Sequence, residues 1–311
     1  MSRVAVCSRS FSRHPVLRAE LVERYPDTRF NDAGKSLAGD ELVEHLAGVE
    51  KAITALEKID DALLDRLPDL RVISKVGVGI DMIDLDALAR HGVQLAWSKG
   101  TNRRSVSELV LALTLALLRH VVPAANEVRA GGWSQPKGAE LSGRAVGIVG
   151  FGHVGRDLAD LLAPFGCPVL VHDVVEPRDL PPHASVAGSL DELLEESDVV
   201  SLHVTLTDET RNLIDASRLA LMKTDALLVN TARGGLVDEG ALADALREGR
   251  LAGAAFDVFA TEPPGDVELL SLPSFLATPH IGGSTEEAIL AMGRAAIDGL
   301  DAARPVEEIP A

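Results

Sequence analysis

Short apolar runs rich in β-branched residues alternate with amphipathic segments along almost the whole chain. The runs predict buried strands, and the amphipathic segments predict helices. In the first third we predict strands at Val4–Cys7, Ala52–Thr54, Val72–Ser74 and Val93–Trp97. The predicted helices between them are Val16–Arg24, Asp40–Leu46, Asp60–Leu67 and Leu85–Arg90, and Gly92 is placed to end the last one.

A long helix from about Asn102 to Leu118 leads into a second, denser series of the same kind. Its predicted strands are Ala145–Val149, Val169–His172, Val199–His203, Ala226–Thr231, Gly253–Val258 and Phe275–Thr278. Helices are predicted from about Val154, at Leu190–Glu195 and Asp238–Glu248, and from about Thr285 to Leu300. This alternation is typical of parallel α/β sheets. Since a domain takes roughly 150 residues, the 311 residues favour two domains.

Composition and charge narrow the possible partners. Hydrophobic residues make up 46% of the chain and charged residues 25%, as in ordinary globular proteins. The formal net charge of −17 disfavours binding to nucleic acid or to an anionic membrane, since both need a cationic surface. The longest apolar stretch, Leu109 to Leu118, is shorter than the ~20 residues of a membrane span. We therefore expect neither kind of partner.

The two cysteines, Cys7 and Cys167, lie far apart and have no metal-ligand spacing. A disulfide framework is disfavoured, and a reducing cytoplasm is the expected location. No metal site is expected.

Gly150, Gly152 and Gly155 form a GxGxxG motif directly after a predicted strand and at the start of a predicted helix. In that context, the first glycine permits a tight turn and the second lets the backbone approach a pyrophosphate. The third lets helix and strand pack closely. The N–H groups at the helix start favour phosphate binding. The motif therefore predicts a dinucleotide cofactor.

Asp173 ends the next predicted strand, 18 residues after Gly155. A carboxylate there accepts hydrogen bonds from the adenosine ribose and repels the extra phosphate of NADP. Because Val174 and Val175 follow it and no arginine does, NAD is favoured over NADP. The structural alternative is that Asp173 only caps a strand end.

Three later strands each lead to a candidate catalytic group, namely Arg233, Glu262 and His280. Ligands of such sheets lie at the carboxyl ends of the strands, where these side chains would converge. Arg233 suits a substrate carboxylate, because its planar fork donates two hydrogen bonds. His280 suits proton exchange with the reacting oxygen, while Glu262 orients the imidazole and favours its charged form. This set fits the reduction of a 2-oxo acid.

Structural alternatives stay open at this point. Most histidines in any chain are not catalytic, and Glu262 could be a solvated loop acid. Asp257, late in its strand, either accepts a hydrogen bond from the nicotinamide carboxamide or has a structural role.

Six stretches together resemble the D-isomer-specific 2-hydroxyacid dehydrogenase family: Val76–Asp84, Ser105–Leu109, Val146–Gly155, Leu228–Gly235, Asp257–Pro263 and Thr278–Thr285. The resemblance implies that Arg233, Glu262 and His280 are catalytic. It implies substrate binding by the backbone around Val78 and Gly79, with Lys75 as a further candidate. The implied cofactor contacts are Gly150, Gly152, His153, Val154, Gly155, Asp173, Val204, Thr231, Ala232, Asp257, Gly282 and Gly283.

The resemblance also implies an architecture of two parallel-sheet α/β domains with an active-site cleft between them. A flavodoxin-like, substrate-binding domain would combine residues 1–98 with 285–311. An NAD-binding Rossmann domain would comprise residues 99–284. The apolar helix near Leu109–Leu118 would belong to a homodimer interface.

Within the family the chain is most similar to phosphoglycerate dehydrogenases, chiefly through Thr278–Thr285. Its substrate is expected to be a small 2-hydroxy or 2-oxo acid, with 3-phosphoglycerate as one candidate. Thr54 stands where phosphoglycerate-specific members tend to carry an arginine, and Glu57 would repel a dianion; Lys58 and Lys75 could partly compensate. Since the sequence ends at Ala311, we expect a short form without a regulatory serine-binding domain.

Two alternatives follow from the same residues. One is a glyoxylate or hydroxypyruvate reductase of the same family. The other, of a different class, is a non-catalytic, NAD-sensing binding protein similar to the transcriptional corepressors that share this scaffold.

Overall fold

The computed structural model describes residues 3–265 and 267–308. The strands are β1 Val4–Val6, β2 Thr28–Phe30, β3 Lys51–Thr54, β4 Val72–Lys75, β5 Gln94–Ala96, β6 Val146–Val149, β7 Val169–His172, β8 Ala184–Val186, β9 Val199–Leu202, β10 Leu227–Asn230, β11 Gly253–Phe256 and β12 Phe275–Ala277.

The α-helices are α1 Arg9–Arg13, α2 Pro15–Arg24, α3 Gly39–Leu46, α4 Asp61–Leu64, α5 Leu85–His91, α6 Arg103–Leu118, α7 Val121–Arg129, α8 His153–Leu162, α9 Leu190–Glu196, α10 Ala216–Leu219, α11 Glu239–Arg247, α12 Val267–Ser271 and α13 Glu286–Ala302. Short 3₁₀ helices lie at Ala163–Phe165 and Val306–Glu308.

The chain divides into two compact units. The first contains the residues up to Asn102 together with those from Gly283 onward, and the second runs from Arg103 to Gly282. In the first unit, five parallel strands lie in the order β2-β1-β3-β4-β5, the flavodoxin-like order. In the second, seven parallel strands lie in the order β12-β11-β10-β9-β6-β7-β8, which contains the Rossmann order. The predicted pair of parallel α/β sheets is confirmed.

The central strands are mostly apolar because both faces of each sheet are covered. In β1, Val4 and Val6 pack into one core cluster and Ala5 into another. In β6, Ile148 and Val149 likewise belong to different clusters. Successive side chains of a strand point to opposite faces, so each unit has a core on both sides of its sheet.

The predicted strands are all present, with ends displaced by at most two residues. The predicted end of the first unit's fourth helix is wrong: helix α4 stops at Leu64 rather than Leu67. There the backbone changes to the tighter pattern in which Arg66 and Leu67 donate three residues back, shortly before Pro68. The predicted stop at Gly92 is confirmed, since Gly92 caps α5 with a left-handed φ of +64°.

Among the described residues, no single helix is both long and apolar enough to span a bilayer. Only α6 and α7 taken together reach that length, and the chain bends by 63° between them.

Candidate active site

In the loop after β6, two of the three glycines are needed for close packing and the third leaves room for a dinucleotide. Gly150 has a φ of +96°, and a Cβ there would lie 2.6 Å from the carbonyl oxygen of His203. A Cβ at Gly155 would overlap the carbonyl oxygen of Gly150. A Cβ at Gly152, by contrast, would have no atom of the described residues within 4 Å other than those of its chain neighbours. Gly150 and Gly155 therefore serve packing, whereas Gly152 faces open space that phosphates can approach.

Helix α8 starts directly at this loop. Gly152 is its N-cap and provides no side-chain cap, so the first backbone N–H groups, including those of His153 and Val154, suit an anionic ligand. The amphipathic helix buries Leu158 and Leu162 behind the loop. The loop and helix together fit a bound dinucleotide.

Asp173 follows β7 and supports the glycine loop from the side. One carboxylate oxygen accepts a hydrogen bond from the Phe151 N–H at 2.6 Å, and the other accepts one from the Val175 N–H at 3.0 Å. Each oxygen has a second lone pair for a ribose hydroxyl. The exposed Val174 and Val175 beside it offer an apolar surface.

Three other predicted cofactor contacts, Val204, Thr231 and Ala232, follow strands β9 and β10. His203, which the sequence analysis does not single out, lies beside Val204. His203 follows β9, and its imidazole lies 2.8 Å from the Ser201 hydroxyl. Burial lowers the pKa of His203 to about 4, so this ring is neutral near pH 7. Val204 and Ala232 are half-buried. The Thr231 hydroxyl is buried without a hydrogen-bond partner in the described part of the chain. Buried polar groups normally have a partner, so this fits a site in which a bound polar ligand supplies it.

Arg233 lies in a tight turn after β10. The Asn230 side chain holds this turn, because it donates to the Arg233 carbonyl at 2.8 Å and accepts from the Ala232 N–H at 3.1 Å. A Cβ at Gly234 would overlap the Phe259 carbonyl group, so glycine lets the Arg233 turn pack directly on the loop after β11. Arg233 is half-buried, and its guanidinium donates to the Ala232 carbonyl at 2.7 Å.

Glu262 and His280 meet, as the sequence predicts for groups at neighbouring strand ends. The Glu262 Oε2 lies 2.8 Å from the His280 Nδ1, and its Oε1 accepts from the Phe259 N–H at 3.1 Å. The His280 side chain is 49% exposed, so the imidazole is accessible. His280 has a left-handed φ of +54°, which costs a non-glycine residue about 1–3 kcal/mol.

Asp257 is almost fully buried at the end of β11. Its carboxylate accepts hydrogen bonds from the Thr278 hydroxyl and from the N–H groups of Ile281 and Gly282, at 2.6 to 2.8 Å. These contacts give Asp257 a structural role, and they are also compatible with a further hydrogen bond from a nicotinamide carboxamide. Gly282 is also held by Ser105, whose hydroxyl donates to its carbonyl.

Of the predicted substrate-binding residues, Lys75, Val78 and Gly79 belong to the first unit, whereas Arg233 belongs to the second. Lys75 is buried at the end of β4, where its Nζ donates to the Val76 carbonyl at 2.8 Å. Val78 and Gly79 are half-buried, and the Val78 carbonyl accepts from the Trp97 indole. Gly283, predicted as a cofactor contact, also falls in the first unit.

Sequence reasoning missed several residues that shape the site. Thr278, Phe259 and Ser105 act through hydrogen bonds within the second unit. Thr54, which the sequence analysis does name, lies in the first unit at the end of β3, where its hydroxyl is buried without a partner among the described residues. Thr278 and Ser105 lie in motifs that carry the family resemblance, but no local pattern reveals which carboxylate or carbonyl they contact.

Residues 111–282 match the family model described as "D-isomer specific 2-hydroxyacid dehydrogenase, NAD binding domain". The chain belongs to this family. The membership predicted from the six motifs is thus confirmed, and the matched range contains the glycine loop, Arg233, Glu262 and His280.

Curated relatives of this family member carry different substrate names. An (S)-sulfolactate dehydrogenase from Chromohalobacter salexigens is 44% identical over 74% of this chain and 76% of its own length. A hydroxypyruvate reductase from Thermotoga maritima is 38% identical over 81% and 84%. A D-3-phosphoglycerate dehydrogenase from Methanocaldococcus jannaschii is 36% identical over 84% of this chain, but this chain covers only 51% of that protein.

Solved structures share this fold. A protein from Thermus thermophilus has a TM-score of 0.86 and 35% identity, over 97% of this chain and 98% of that one. A D-lactate dehydrogenase from Aquifex aeolicus, solved with NAD and lactic acid, has a TM-score of 0.82 and 28% identity, over 96% and 94%.

Proposed function

We propose that this family member is an NAD-dependent D-2-hydroxyacid dehydrogenase, an oxidoreductase that acts on the CH–OH group at C2 of a small acid. The observation that carries the proposal is the contact of 2.8 Å between Glu262 and His280, beside the turn that holds Arg233. These three groups follow the neighbouring strands β10, β11 and β12, in the unit that carries the glycine loop.

NAD, when bound, supplies the transfer of hydride to or from C2. The glycine loop and the start of α8 would bind its pyrophosphate, with Gly152 leaving the room. Asp173 would accept from the adenosine ribose and exclude a 2′-phosphate, which favours NAD over NADP. The buried Thr231 hydroxyl and the neutral His203 are suited to a polar, uncharged environment around the cofactor.

His280 is the proposed general acid and base. The Glu262 carboxylate accepts a hydrogen bond from the Nδ1–H group, which leaves Nε2 as the ring atom that exchanges a proton with the substrate oxygen. In reduction, Nε2 gives its proton to the C2 oxygen; in oxidation it takes that proton back. Glu262 acts through His280 by fixing the orientation of the ring.

Arg233 is the proposed ligand of the substrate carboxylate. Its guanidinium presents a planar fork that matches two carboxylate oxygens and also polarises the adjacent C2 carbonyl. From the family resemblance, we further propose that the backbone of Val78 and Gly79, together with Lys75, binds the anionic part of the substrate.

For the substrate we propose an acid that carries only hydrogen or a small uncharged group on C2, as in glyoxylate or hydroxypyruvate. The end of β3 carries the small Thr54 rather than an arginine, and the buried Glu57 carboxylate close behind it disfavours a dianion. The names of the relatives make phosphohydroxypyruvate and sulfopyruvate, the oxo forms of phosphoglycerate and sulfolactate, the two alternatives to test.

The decisive experiment is NADH oxidation with glyoxylate, hydroxypyruvate, phosphohydroxypyruvate and sulfopyruvate, repeated with NADPH. We expect turnover with at least one acid, a higher kcat/KM with NADH than with NADPH, and the highest value for a small acid. Tight NADH binding without turnover of any acid would instead support an NAD-sensing binding protein.

We also propose a cytoplasmic homodimer. Both cysteines are free and buried, which suits a reducing compartment.

Helix α7 buries none of its residues and exposes Val121, Val122 and Val128. Such a patch is typical of a protein interface. The dimer surface would then centre on α7, while the apolar face of the preceding α6 packs into the core of its own unit. The net charge of −17 supports partners other than nucleic acid and anionic membranes.

A further inference from the structure

The loop that carries His280 is folded around a single buried residue. The Asp257 Oδ1 accepts from the Thr278 hydroxyl at 2.6 Å and from the Ile281 N–H at 2.8 Å, and its Oδ2 accepts from the Gly282 N–H at 2.7 Å. The backbone carbonyl of Asp257 accepts from the N–H of His280 itself at 2.9 Å. Residues on both sides of His280, and His280 as well, are therefore bound to Asp257.

This arrangement accounts for the unusual backbone of His280. A left-handed φ of +54° persists in a residue with a side chain only where surrounding contacts enforce it. A Cβ at Gly282 would lie 3.1 Å from the Asp257 Oδ2, so the loop approaches the carboxylate about as closely as glycine allows. The position of the imidazole next to Glu262 thus depends on the Asp257 carboxylate.

We infer that Thr278 and Asp257 are positioning residues for His280, with the Thr278 hydroxyl acting on His280 through the Asp257 carboxylate. The Thr278 backbone carbonyl also accepts from the His280 N–H at 3.1 Å, and a side-chain substitution leaves that contact in place. The inference rests on the proposed function, in which His280 moves the proton. The Thr278 hydroxyl has no predicted contact with the substrate or the cofactor. It fixes the carboxylate that in turn binds the Ile281 and Gly282 N–H groups.

The number of hydrogen bonds accepted at position 257 also gives a reason for a carboxylate there. A carboxylate has about four lone-pair sites, and the described contacts use three of them. One site remains for an amide donor such as the nicotinamide carboxamide. Asp257 would then bind the reactive end of the cofactor and position the proton donor with the same group, whereas Thr278 contributes only to the second task.

Substitution of Thr278 tests the positioning role without removing the Asp257 carboxylate. Thr278→Val removes the hydroxyl at nearly constant shape, and Thr278→Ser restores it. Thr114→Val is the control, because the Thr114 hydroxyl likewise donates a hydrogen bond, to the Val110 carbonyl at 2.7 Å, but is buried within helix α6. Each variant is compared with wild type in kcat and KM for the preferred oxo acid, in the Kd for NADH by fluorescence, and in Tm.

We expect Thr278→Val to lower kcat by about 10- to 100-fold, since a small misplacement of a catalytic group has effects of that order. The Kd for NADH should stay within about threefold of wild type, and Thr278→Ser should recover most of kcat. Thr114→Val should lower Tm but leave kcat unchanged. Wild-type kcat in Thr278→Val, a loss that serine does not rescue, or an equal loss in Thr114→Val would each overturn the inference.

A second readout does not require turnover. Nitrogen-15 NMR of the histidine rings, with His280 assigned through a His280→Gln variant, reports which ring nitrogen carries the proton. In wild type we expect Nδ1 protonation, held by Glu262, and in Thr278→Val a mixture of the two tautomers. Unchanged ring signals in Thr278→Val would refute the positioning role. Lack of turnover by wild type would contradict only the proposed function, because the NMR comparison still tests the inference.

Discussion

Single residues in the cofactor loop differ in what they contribute, although the motif treats its three glycines alike. Gly150 and Gly155 are required by the protein's own packing, whereas Gly152 leaves open space. The sequence predicts all three from spacing alone. The structure separates them, because only the folded loop shows which hypothetical Cβ meets backbone and which meets none.

Gly152→Ala should therefore fold like wild type and bind NADH less tightly. Its φ of −79° is accessible to alanine, and the added methyl group enters only the space that the phosphates need. We expect Tm within about 2 °C of wild type and a Kd for NADH raised at least about tenfold, or about 1.4 kcal/mol. Gly155→Ala is the matched contrast: it should lower Tm markedly, because its methyl group overlaps the Gly150 carbonyl. Equal behaviour of the two variants would contradict this division.

His280→Gln should lower kcat by the ~10²- to 10⁴-fold typical of a lost general acid, while NADH still binds. The reason is that glutamine keeps the polarity of the side chain but cannot transfer a proton. His120→Gln is a suitable control, since His120 is also an exposed histidine with a left-handed φ, of +52°, but lies at the start of α7. Near-normal turnover in His280→Gln would show that His280 is not the general acid.

At the scale of elements, the sequence predicts what is buried and misses what is exposed. The central strands are found because both of their faces are apolar. Strands β2 and β8 are missed, since each has three residues at a sheet edge and none of them is buried. Helix α7 is missed for the same reason: none of its residues is buried, so its apolar residues do not mark a core-facing stripe.

One ionic cluster attaches the last helix, α13, to the first unit. The Asp301 carboxylate accepts from Lys51 of β3, from the Tyr25 hydroxyl and from Arg24. The Lys51 ammonium, followed by the Tyr25 hydroxyl, lowers the pKa of Asp301 to about 2. The sequence does not reveal this contact, because the partners lie about 250 or more residues apart.

Asp301→Asn should lower the free energy of unfolding at pH 7. Because the folded state depresses this pKa, the stabilisation is present above the unfolded value of about 3.9 and is lost as the pH falls towards 2. As the Asp301 side chain is 53% exposed, we expect a difference of up to about 1 kcal/mol. Urea denaturation at pH 7, 4 and 2.5 measures it, and the difference should shrink across that series. Asp27→Asn, which removes a weaker surface pair with Arg3, is the control; an equal loss there would argue against the cluster.

At the scale of the whole molecule, the proposed dimer can be tested through the exposed apolar residues of α7. The chain has a mass of 32.9 kDa, so light scattering should give about twice that value for wild type. Val122→Asp places a charge in the exposed apolar patch and should shift the mass towards the monomer. Val16→Asp, on an exposed position of α2, should leave the mass unchanged. A monomeric wild type would rule out the dimer, and a dimeric Val122→Asp would exclude α7 as its interface.

The sequence by itself determined the fold class, the glycine loop, and the identity of Arg233, Glu262 and His280 as strand-end groups. It could do so because buried parallel strands have a local signature, and because glycine spacing and strand-end chemistry are local too. Only the tertiary structure decided the strand order, the edge strands, and the winding of the His280 loop around Asp257. Those features depend on contacts between residues distant in sequence, such as Asp257 with Thr278, which leave no local pattern.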